Sequence, residues 1–399
     1  MFLGRNEQSD CRANANANLL QFDSGMRTPL TMPIHVWDYR KEYEAEREDI
    51  LAGVEKVFRS GRLILGPSVK AFEAGFASYC GVAHGVGVNS GTDALFLALR
   101  ALDIGPGDEV LTVSNTAIPT VSAIVSTGAV PRFVDIEPDT YLMDVAKLEA
   151  AVTPRTKCIL PVHLYGQCVD METVGNVAAK FGLKVVEDCA QSHGATQNGK
   201  KAGSMSDAAA FSFYPTKVLG AFGDAGMVVT NDENTADRLR RLRMYGNERT
   251  YCSVEHGYNS RLDELQAELL LRKMPRLDGY IARRRQLAAR YDELLLGTGL
   301  ALPTVRSANS HAYYLYVVRH PGRDLIIEAL AARDIFLNIS YPWPIHVMKA
   351  YSHLEQKQGD LPVTELAAQE IFSLPMYPTL SNNEQDVVCE ALRCTLQSL

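Results

Sequence analysis

Short apolar segments alternate with amphipathic ones along residues 84 to 230. The apolar segments have the length and composition of buried strands and lie at 84–88, 108–113, 130–136, 158–164, 183–189, 208–214 and 225–230. The segments between them repeat apolar residues at helical spacing and include 92–102, 118–128, 144–152 and 171–182. Strands separated by helices predict right-handed crossovers, and uniformly apolar strands predict a sheet covered on both faces. We therefore predict an α/β fold with a mostly parallel sheet flanked by helices.

The pattern changes on both sides of this region. Residues 1–32 carry an Asn/Ala repeat, "RANANANL", and no lasting period, so we predict a disordered tail there. Downstream of the sheet, a long helical pattern is either divided into two helices or bent at Pro275. The segments that follow mix strand and helix character and lie at 312–318, 325–335 and 384–399. We predict a large domain at 33–275 and a small α+β domain at 276–399.

Composition argues against several classes of function. The 399 residues carry a formal net charge of −7, which disfavours a protein that binds nucleic acid by neutralising phosphates. No apolar run approaches the roughly 20 residues that a membrane helix needs, so no membrane partner is expected. The eight cysteines form no C-x-x-C pair, so neither a disulfide framework nor a metal site is predicted. A reducing cytoplasm is the expected location.

A glycine turn after the first strand of the series is a candidate phosphate site. The strand 84–88 ends in "NSGTDAL", in which Ser90, Gly91 and Thr92 begin a helix. A helix start presents free N–H groups and a positive dipole end to a ligand, although an ordinary helix cap has the same sequence. A dinucleotide site is disfavoured, because "GVGVNSG" does not match G-x-G-x-x-G and no acidic residue ends the next strand.

Two more strand ends carry residues that could take part in binding or catalysis. Asp188 ends the strand 183–189 and could be a structural cap or could hold a cationic ring nitrogen, while Gln191 could donate to a phenolate oxygen. Lys217 and Asp224 are the only charged residues between Ala208 and Thr230. A lysine held among apolar residues can act as a nucleophile, although its ammonium group usually reaches water. A phosphate cradle, a carboxylate and an amine are together what pyridoxal phosphate requires.

These residues lie in motifs that resemble a known enzyme family. The chain is similar to the DegT/DnrJ/StrS family of fold type I pyridoxal-phosphate aminotransferases, which act on nucleotide-linked keto-sugars. The resemblance runs from Ile34 to the C-terminus. It rests on the ordered motifs "SGRLILGPSVKAFEAGFASYC", "VNSGTDALFLALRAL", "GPGDEVLTVSNTAIPTVSAI", "PVHLYGQCVDM", "VVEDCAQSHGA", "SFYPTKVLGAFGDAG" and "YNSRLDELQAELL".

The resemblance assigns a role to each residue that matches a family motif. It implies that Lys217 forms the Schiff base with the cofactor, that Asp188 holds the pyridine nitrogen and that Gln191 lies near the 3-hydroxyl. Phosphate contacts are implied for Gly91, Thr92, Ser212 and, from the partner subunit of a homodimer, Asn259. Two positions depart from the family: Ala117 replaces a ring-stacking aromatic residue that many relatives carry, for which Ile118 or a neighbour could substitute, and Ala225 replaces the commoner glycine.

The family's activity implies a substrate and a donor. We expect transfer of an amino group from glutamate to a nucleoside-diphosphate-linked keto-6-deoxyhexose, with a 3-keto sugar favoured over a 4-keto sugar. His346, in "YPWPIHVMKAY", and Tyr214 are candidates for contact with the sugar. The alternatives are amination of a cyclitol or other carbocyclic ketone, and a regulatory protein that binds the cofactor without turnover. Retention of Lys217 argues against the regulatory alternative.

Overall fold

The computed structural model describes residues 32–399. The predicted tail therefore lies outside the described residues except for Met32. The described residues form twelve α-helices: α1 (Tyr39–Ser60), α2 (Pro67–Cys80), α3 (Gly91–Ala101), α4 (Ile118–Ser126), α5 (Leu148–Ala151), α6 (Met171–Phe181), α7 (Glu233–Leu242), α8 (Glu264–Lys273), α9 (Leu277–Leu295), α10 (Arg323–Ala331), α11 (Pro362–Glu370) and α12 (Asn382–Leu396). None of the helices in this part of the chain is long and apolar enough to cross a membrane.

Strands are distributed over the whole described chain. They are β1 (Ile34–His35), β2 (His84–Val88), β3 (Glu109–Val113), β4 (Val130–Val134), β5 (Thr156–Ile159), β6 (Lys184–Asp188), β7 (Thr196–Gln197), β8 (Lys200–Lys201), β9 (Ala208–Ser212), β10 (Gly226–Thr230), β11 (Asn247–Arg249), β12 (Cys252–Ser253), β13 (Asn309–Ser310), β14 (Tyr316–Arg319), β15 (Ile335–Phe336) and β16 (Ile371–Leu374). Seven of them form the central sheet in the order β2-β10-β9-β6-β5-β3-β4.

The central sheet is parallel except at one strand. Strands β9, β6, β5, β3 and β4 pair in parallel, whereas β10 is antiparallel to both β2 and β9. No helix separates β9 from β10, so the chain turns back beside the strand that it has just left. The sheet strands are almost entirely buried between helices, which confirms the predicted α/β fold with a mostly parallel, covered sheet.

The C-terminal part of the chain builds a second hydrophobic core. Its buried residues come mainly from α9, α10, α12 and the antiparallel pair β14–β16. The helix preceding it ends at a short 3-10 turn that contains Pro275, so the helical pattern divides there into α8 and α9. The turn lies where the large and small domains were predicted to meet, although Ile281 of α9 still packs into the hydrophobic core around the central sheet. The division into two domains stays a prediction.

The first described strand belongs with the last third of the chain. Ile34 and His35 of β1 pair in parallel with Ile335 and Phe336 of β15. Ile34 is buried in the second core, and the Val36 carbonyl accepts a hydrogen bond from the Met376 N–H at 3.1 Å. Trp37, which follows directly, reaches the carboxyl edge of the central sheet.

Candidate active site

The connection from β9 to β10 carries Lys217 to the carboxyl edge of the sheet. Its two ends are joined by the Phe213 N–H, which donates to the Ala225 carbonyl at 2.8 Å. The Lys217 N–H donates to the Tyr214 carbonyl at 2.8 Å, which forms a tight turn around the lysine. Gly220 closes the turn, because a Cβ at this position would lie 2.3 Å from the Pro215 carbonyl oxygen. The backbone around Lys217 is therefore fixed by short-range contacts.

An aromatic ring lies beside the lysine amine. Lys217 Nζ is 4.5 Å from the ring centroid of Tyr314, a distance typical of a cation–π contact. The Tyr314 hydroxyl forms a hydrogen bond of 2.9 Å with Thr216 Oγ1, which fixes the ring relative to the lysine turn. Tyr314 belongs to the segment before β14, so the second half of the chain completes the surroundings of the amine.

The start of helix α3 forms a cradle of free N–H groups. Ser90 caps the helix, because its Oγ accepts the Asp93 N–H at 3.1 Å, and the first N–H groups of a helix have no intrahelical acceptor. Gly91 packs against Ser212, since a Cβ on Gly91 would lie 2.5 Å from Ser212 Cβ. This close approach brings Gly91, Thr92 and the Ser212 hydroxyl to one point, where the helix dipole favours an anion.

Asp188 ends β6 with its carboxylate buried in the same region. Its Oδ2 accepts a hydrogen bond from Thr120 Oγ1 at 2.8 Å, and its Oδ1 accepts the Ala190 N–H at 3.1 Å. Burial raises the pKa of the Asp188 carboxyl, although both hydrogen bonds and the charge of Lys217 oppose that shift. A buried carboxylate with so few donors is suited to a cationic partner, which would lower its pKa again.

Gln191 lies one turn beyond Asp188 and makes two hydrogen bonds. Its Oε1 accepts the Tyr165 N–H at 2.8 Å, and its Nε2 donates to the Tyr341 hydroxyl at 2.6 Å. The second hydrogen of Nε2 is left for the cavity that Gln191 lines.

One cavity of about 430 Å³ collects most of the predicted site residues. Its lining includes Gly91, Thr92, Asp188, Gln191, Ser212, Tyr214 and Lys217. The chemistry of this set fits pyridoxal phosphate: free N–H groups for the phosphate, a carboxylate for the ring nitrogen, an amide donor for the phenolic oxygen and an amine for the aldehyde.

Asn259 is a predicted site residue that does not line the cavity of its own chain. It is exposed and makes an isolated bridge with Met244. The next residue, Ser260, lies against α3, because its Oγ donates to Asp93 at 2.6 Å and accepts the Asn89 N–H at 3.1 Å. The segment is thus anchored near the phosphate cradle, while the Asn259 side chain faces outward.

His346 also lies outside the cavity. Its ring is buried, and its backbone N–H donates to Ser114 Oγ at 3.0 Å. Ser114 Oγ also forms a hydrogen bond of 2.8 Å with His346 Nδ1, and Nε2 donates to Glu365 at 3.1 Å, because a carboxylate only accepts. Both ring nitrogens are therefore used within the fold, and the structure does not bring His346 to the predicted sugar contact.

The structure shows the surroundings of Ala117 and Ala225, the two positions that depart from the family pattern. Thr116, Ala117 and Pro119 line the cavity, whereas Ile118 is 49% exposed and is not a lining residue. Ile118 therefore does not supply the expected cover for a ring. Ala225 is absent from the described residues with positive φ, so an alanine fits there without backbone strain.

A buried histidine near the cavity has a structural role in this fold. His163, Glu187 and Cys189 offer ligand atoms within 4.8 Å of one another, as a metal site would. However, His163 Nδ1 accepts the Val169 N–H at 3.1 Å, and its Nε2 therefore donates to Glu187 at 2.9 Å. Glu187 also accepts hydrogen bonds from two backbone N–H groups and the Ser206 hydroxyl. The hydrogen bond from His163, with those from the two N–H groups, lowers the pKa of Glu187 despite burial.

Sequence reasoning missed several residues that complete the cavity. Trp37, Thr120 and Tyr314 line it, and Tyr341 contacts it through Gln191. Thr120 lies seven residues after the end of β3 and carries a hydroxyl group, which is only a weak signal that it contacts a carboxylate. Trp37 and Tyr314 reach the site through tertiary packing, so their local sequences carry no comparable signal.

This fold and this site define an enzyme of fold type I, the class that uses pyridoxal phosphate. The chain belongs to the DegT/DnrJ/EryC1/StrS aminotransferase family, whose pattern matches residues 44–393. The predicted family and the aminotransferase activity are thereby confirmed.

Relatives and solved structures agree with this membership. The chain is 59% identical over 374 residues to the dTDP-3-amino-3,4,6-trideoxy-alpha-D-glucose transaminase of Micromonospora megalomicea subsp. nigra, which covers 92% of this chain and 100% of that protein. The crystal structure of S. venezuelae DesV in complex with a ketimine intermediate is 43% identical in sequence, with a TM-score of 0.91. The match covers 92% of this chain and 100% of that chain. The PLP form of the putative sugar aminotransferase Spr1654 from Streptococcus pneumoniae is 28% identical, with a TM-score of 0.83. The match covers 88% of this chain and 96% of that chain.

Proposed function

We propose that this protein uses pyridoxal phosphate to move an amino group from glutamate to a 3-keto-6-deoxyhexose attached to a nucleoside diphosphate. The observation that carries the proposal is the cavity that unites Lys217, Asp188 and the start of α3. The 3-keto position is supported by the 59% identical relative, whose name places the amino group on carbon 3 of a 3,4,6-trideoxy sugar.

Four residues of the cavity have a defined role in this reaction. When bound, pyridoxal phosphate supplies an aldehyde that takes up the amino group and a ring that accepts electron density. Lys217 would hold the aldehyde and would move a proton as general acid and base. Asp188 would keep the ring nitrogen protonated, and the N–H groups of Gly91 and Thr92 would hold the phosphate.

The substrate is tested by incubating the purified protein with glutamate and a panel of nucleotide-linked 3-keto and 4-keto sugars. Mass spectrometry and NMR would identify the aminated carbon. We expect a 3-amino product, and none from the Lys217→Ala variant. A 4-amino product alone would contradict the 3-keto assignment. The panel also includes carbocyclic ketones, and their amination alone would favour the carbocyclic alternative. Cofactor binding without any product would favour the regulatory one.

We also propose a homodimer whose two chains share each active site. Asn259 is exposed and absent from its own cavity, as expected for a residue that serves the partner. Tyr214 and Phe222, on the connection that carries Lys217, expose 52% and 40% of their surfaces. Both residues line one open depression with Tyr39 and Tyr43, and a contiguous exposed apolar patch is typical of an interaction surface.

A mixing experiment tests the shared site. Asn259→Asp places a negative charge near the phosphate, and Lys217→Ala removes the amine, so each homodimer should be nearly inactive. In a mixed dimer, one site collects both defects and the other has neither. Activity should return to about half of wild type per mixed dimer. Mixed dimers that form but stay inactive would show that Asn259 acts within its own chain.

The cytoplasmic location remains part of this proposal. The seven cysteines in the described part of the chain are all free. This is the state expected in a reducing compartment.

A further inference from the structure

Two tyrosines with unusual backbone geometry hold the side chain of Gln191. Tyr165 has a φ of 58° and Tyr341 a φ of 68°, a region that bulky residues rarely adopt. Their rings are parallel within 9°, with centroids 6.4 Å apart. Such geometry persists only where the surrounding structure imposes it, and it is concentrated at functional sites.

The hydrogen bonds determine which way the Gln191 amide points. The Tyr165 backbone N–H can only donate, so the atom that it meets at 2.8 Å must be Oε1. Nε2 is therefore the end that meets the Tyr341 hydroxyl at 2.6 Å. In the described part of the chain the Tyr341 hydroxyl is the only hydrogen-bond partner of Nε2, so it fixes that end of the amide. The two bonds leave the second hydrogen of Nε2 without a partner among the described residues, and Gln191 lines the cavity together with Asp188 and Lys217.

We infer that Tyr341 is a positioning residue that holds Gln191 as a hydrogen-bond donor to the phenolic oxygen of the cofactor. This inference rests on the proposed function, because it needs pyridoxal phosphate in the cavity. A donor at the phenolic oxygen stabilises its negative charge and weakens that oxygen's hold on the neighbouring imine proton. Loss of the donor should therefore make the imine proton harder to remove.

The test is a pH titration of the visible absorption band of the loaded enzyme. Tyr341→Phe keeps the stacked ring and removes only the hydroxyl that holds Nε2. We expect the midpoint of the titration to rise by about one unit, a tenfold change in proton affinity. Tyr165→Phe is the matched control, because the Tyr165 hydroxyl makes no bond to Gln191 and the backbone N–H that does so remains. Its midpoint should equal that of wild type.

A second background shows whether Tyr341 acts through Gln191. Gln191→Ala should raise the midpoint at least as far, and adding Tyr341→Phe to it should change nothing further. Asp188, Lys217 and Asp224, the charged residues that line the cavity, are unchanged in every variant. An unchanged midpoint in Tyr341→Phe would overturn the inference about Tyr341 but not the proposed function. An equal rise in Tyr165→Phe, or a full Tyr341→Phe shift in the Gln191→Ala background, would do the same. A wild-type protein without a visible band would overturn the proposed function as well.

Discussion

Replacing Thr120 with valine should reveal the buried charge of Asp188 in the cofactor-free protein. Valine has nearly the shape of threonine but cannot donate, so Asp188 Oδ2 loses its bond of 2.8 Å. A hydrogen bond to a buried charged group contributes about 1.5–3 kcal/mol, which corresponds to a further rise of about 1–2 units in the Asp188 pKa. With an unfolding entropy of about 2.1 cal/mol/K per residue, losing the whole contribution of this hydrogen bond lowers Tm by ~2–4 °C.

The sign of the pH dependence follows from the direction of the shift. Burial raises the Asp188 pKa, so the folded chain binds more protons than the unfolded chain between the two pKa values, and stability falls as pH rises through that window. Thr120→Val extends the window upward. The loss of Tm should therefore be smaller at pH 5 than at pH 8, as measured by scanning fluorimetry of the cofactor-free protein.

A neighbouring hydroxyl provides the control. Thr116 Oγ1 contacts Thr120 Oγ1 at 2.9 Å and makes no bond to Asp188. Thr116→Val should therefore lower Tm by a similar amount at every pH. If Thr120→Val behaves in the same way, or loses more stability at pH 5 than at pH 8, the reasoning about the Asp188 charge is refuted.

Three further variants or treatments test the rest of the site. Asp188→Asn should keep the cofactor but lose at least about a hundredfold in turnover, because each 1.36 kcal/mol lost is a factor of ten and a neutral amide cannot hold the ring nitrogen protonated; unchanged single-turnover rates would contradict this role. Borohydride should bleach the visible band and fix the cofactor to the peptide that contains Lys217, and a label on another lysine would reassign the amine. Gly91→Ala should weaken cofactor binding in an absorbance titration, because the new Cβ would lie 2.5 Å from Ser212 Cβ, whereas Gly175→Ala in α6, with open space around it, should not.

The alternation of apolar and amphipathic segments was enough to predict the sheet but not its details. The strand at 84–88 matches β2, whereas the strand predicted at 158–164 ends at Ile159. Pro161 follows, and its missing N–H interrupts the ladder, although Val162 still bridges Asp188. The antiparallel direction of β10 was also missed, because apolar composition does not record strand direction.

The site could be predicted where it follows the rule that ligands bind at the carboxyl ends of strands. Asp188, Ser212 and Lys217 each stand at or just after such an end, and they meet in the cavity. Tyr314 and Tyr341 could not be predicted in this way, because they reach the site from segments roughly a hundred residues later in the chain. Their positions depend on how these later segments pack into the core around the central sheet, which no local pattern specifies.

The pairing of β1 with β15 has a consequence for how the chain is completed during synthesis. Ile34 is made early, but its partner Ile335 emerges about 300 residues later, which takes roughly 15–60 s at 5–20 residues per second. Throughout that time the N-terminal strand has nowhere to pair. Trp37, which follows it, can take its place in the cavity wall only when the strand docks. A nascent chain released before residue 335 would therefore carry the lysine, the carboxylate and the phosphate cradle in a cavity that lacks the wall formed by Trp37.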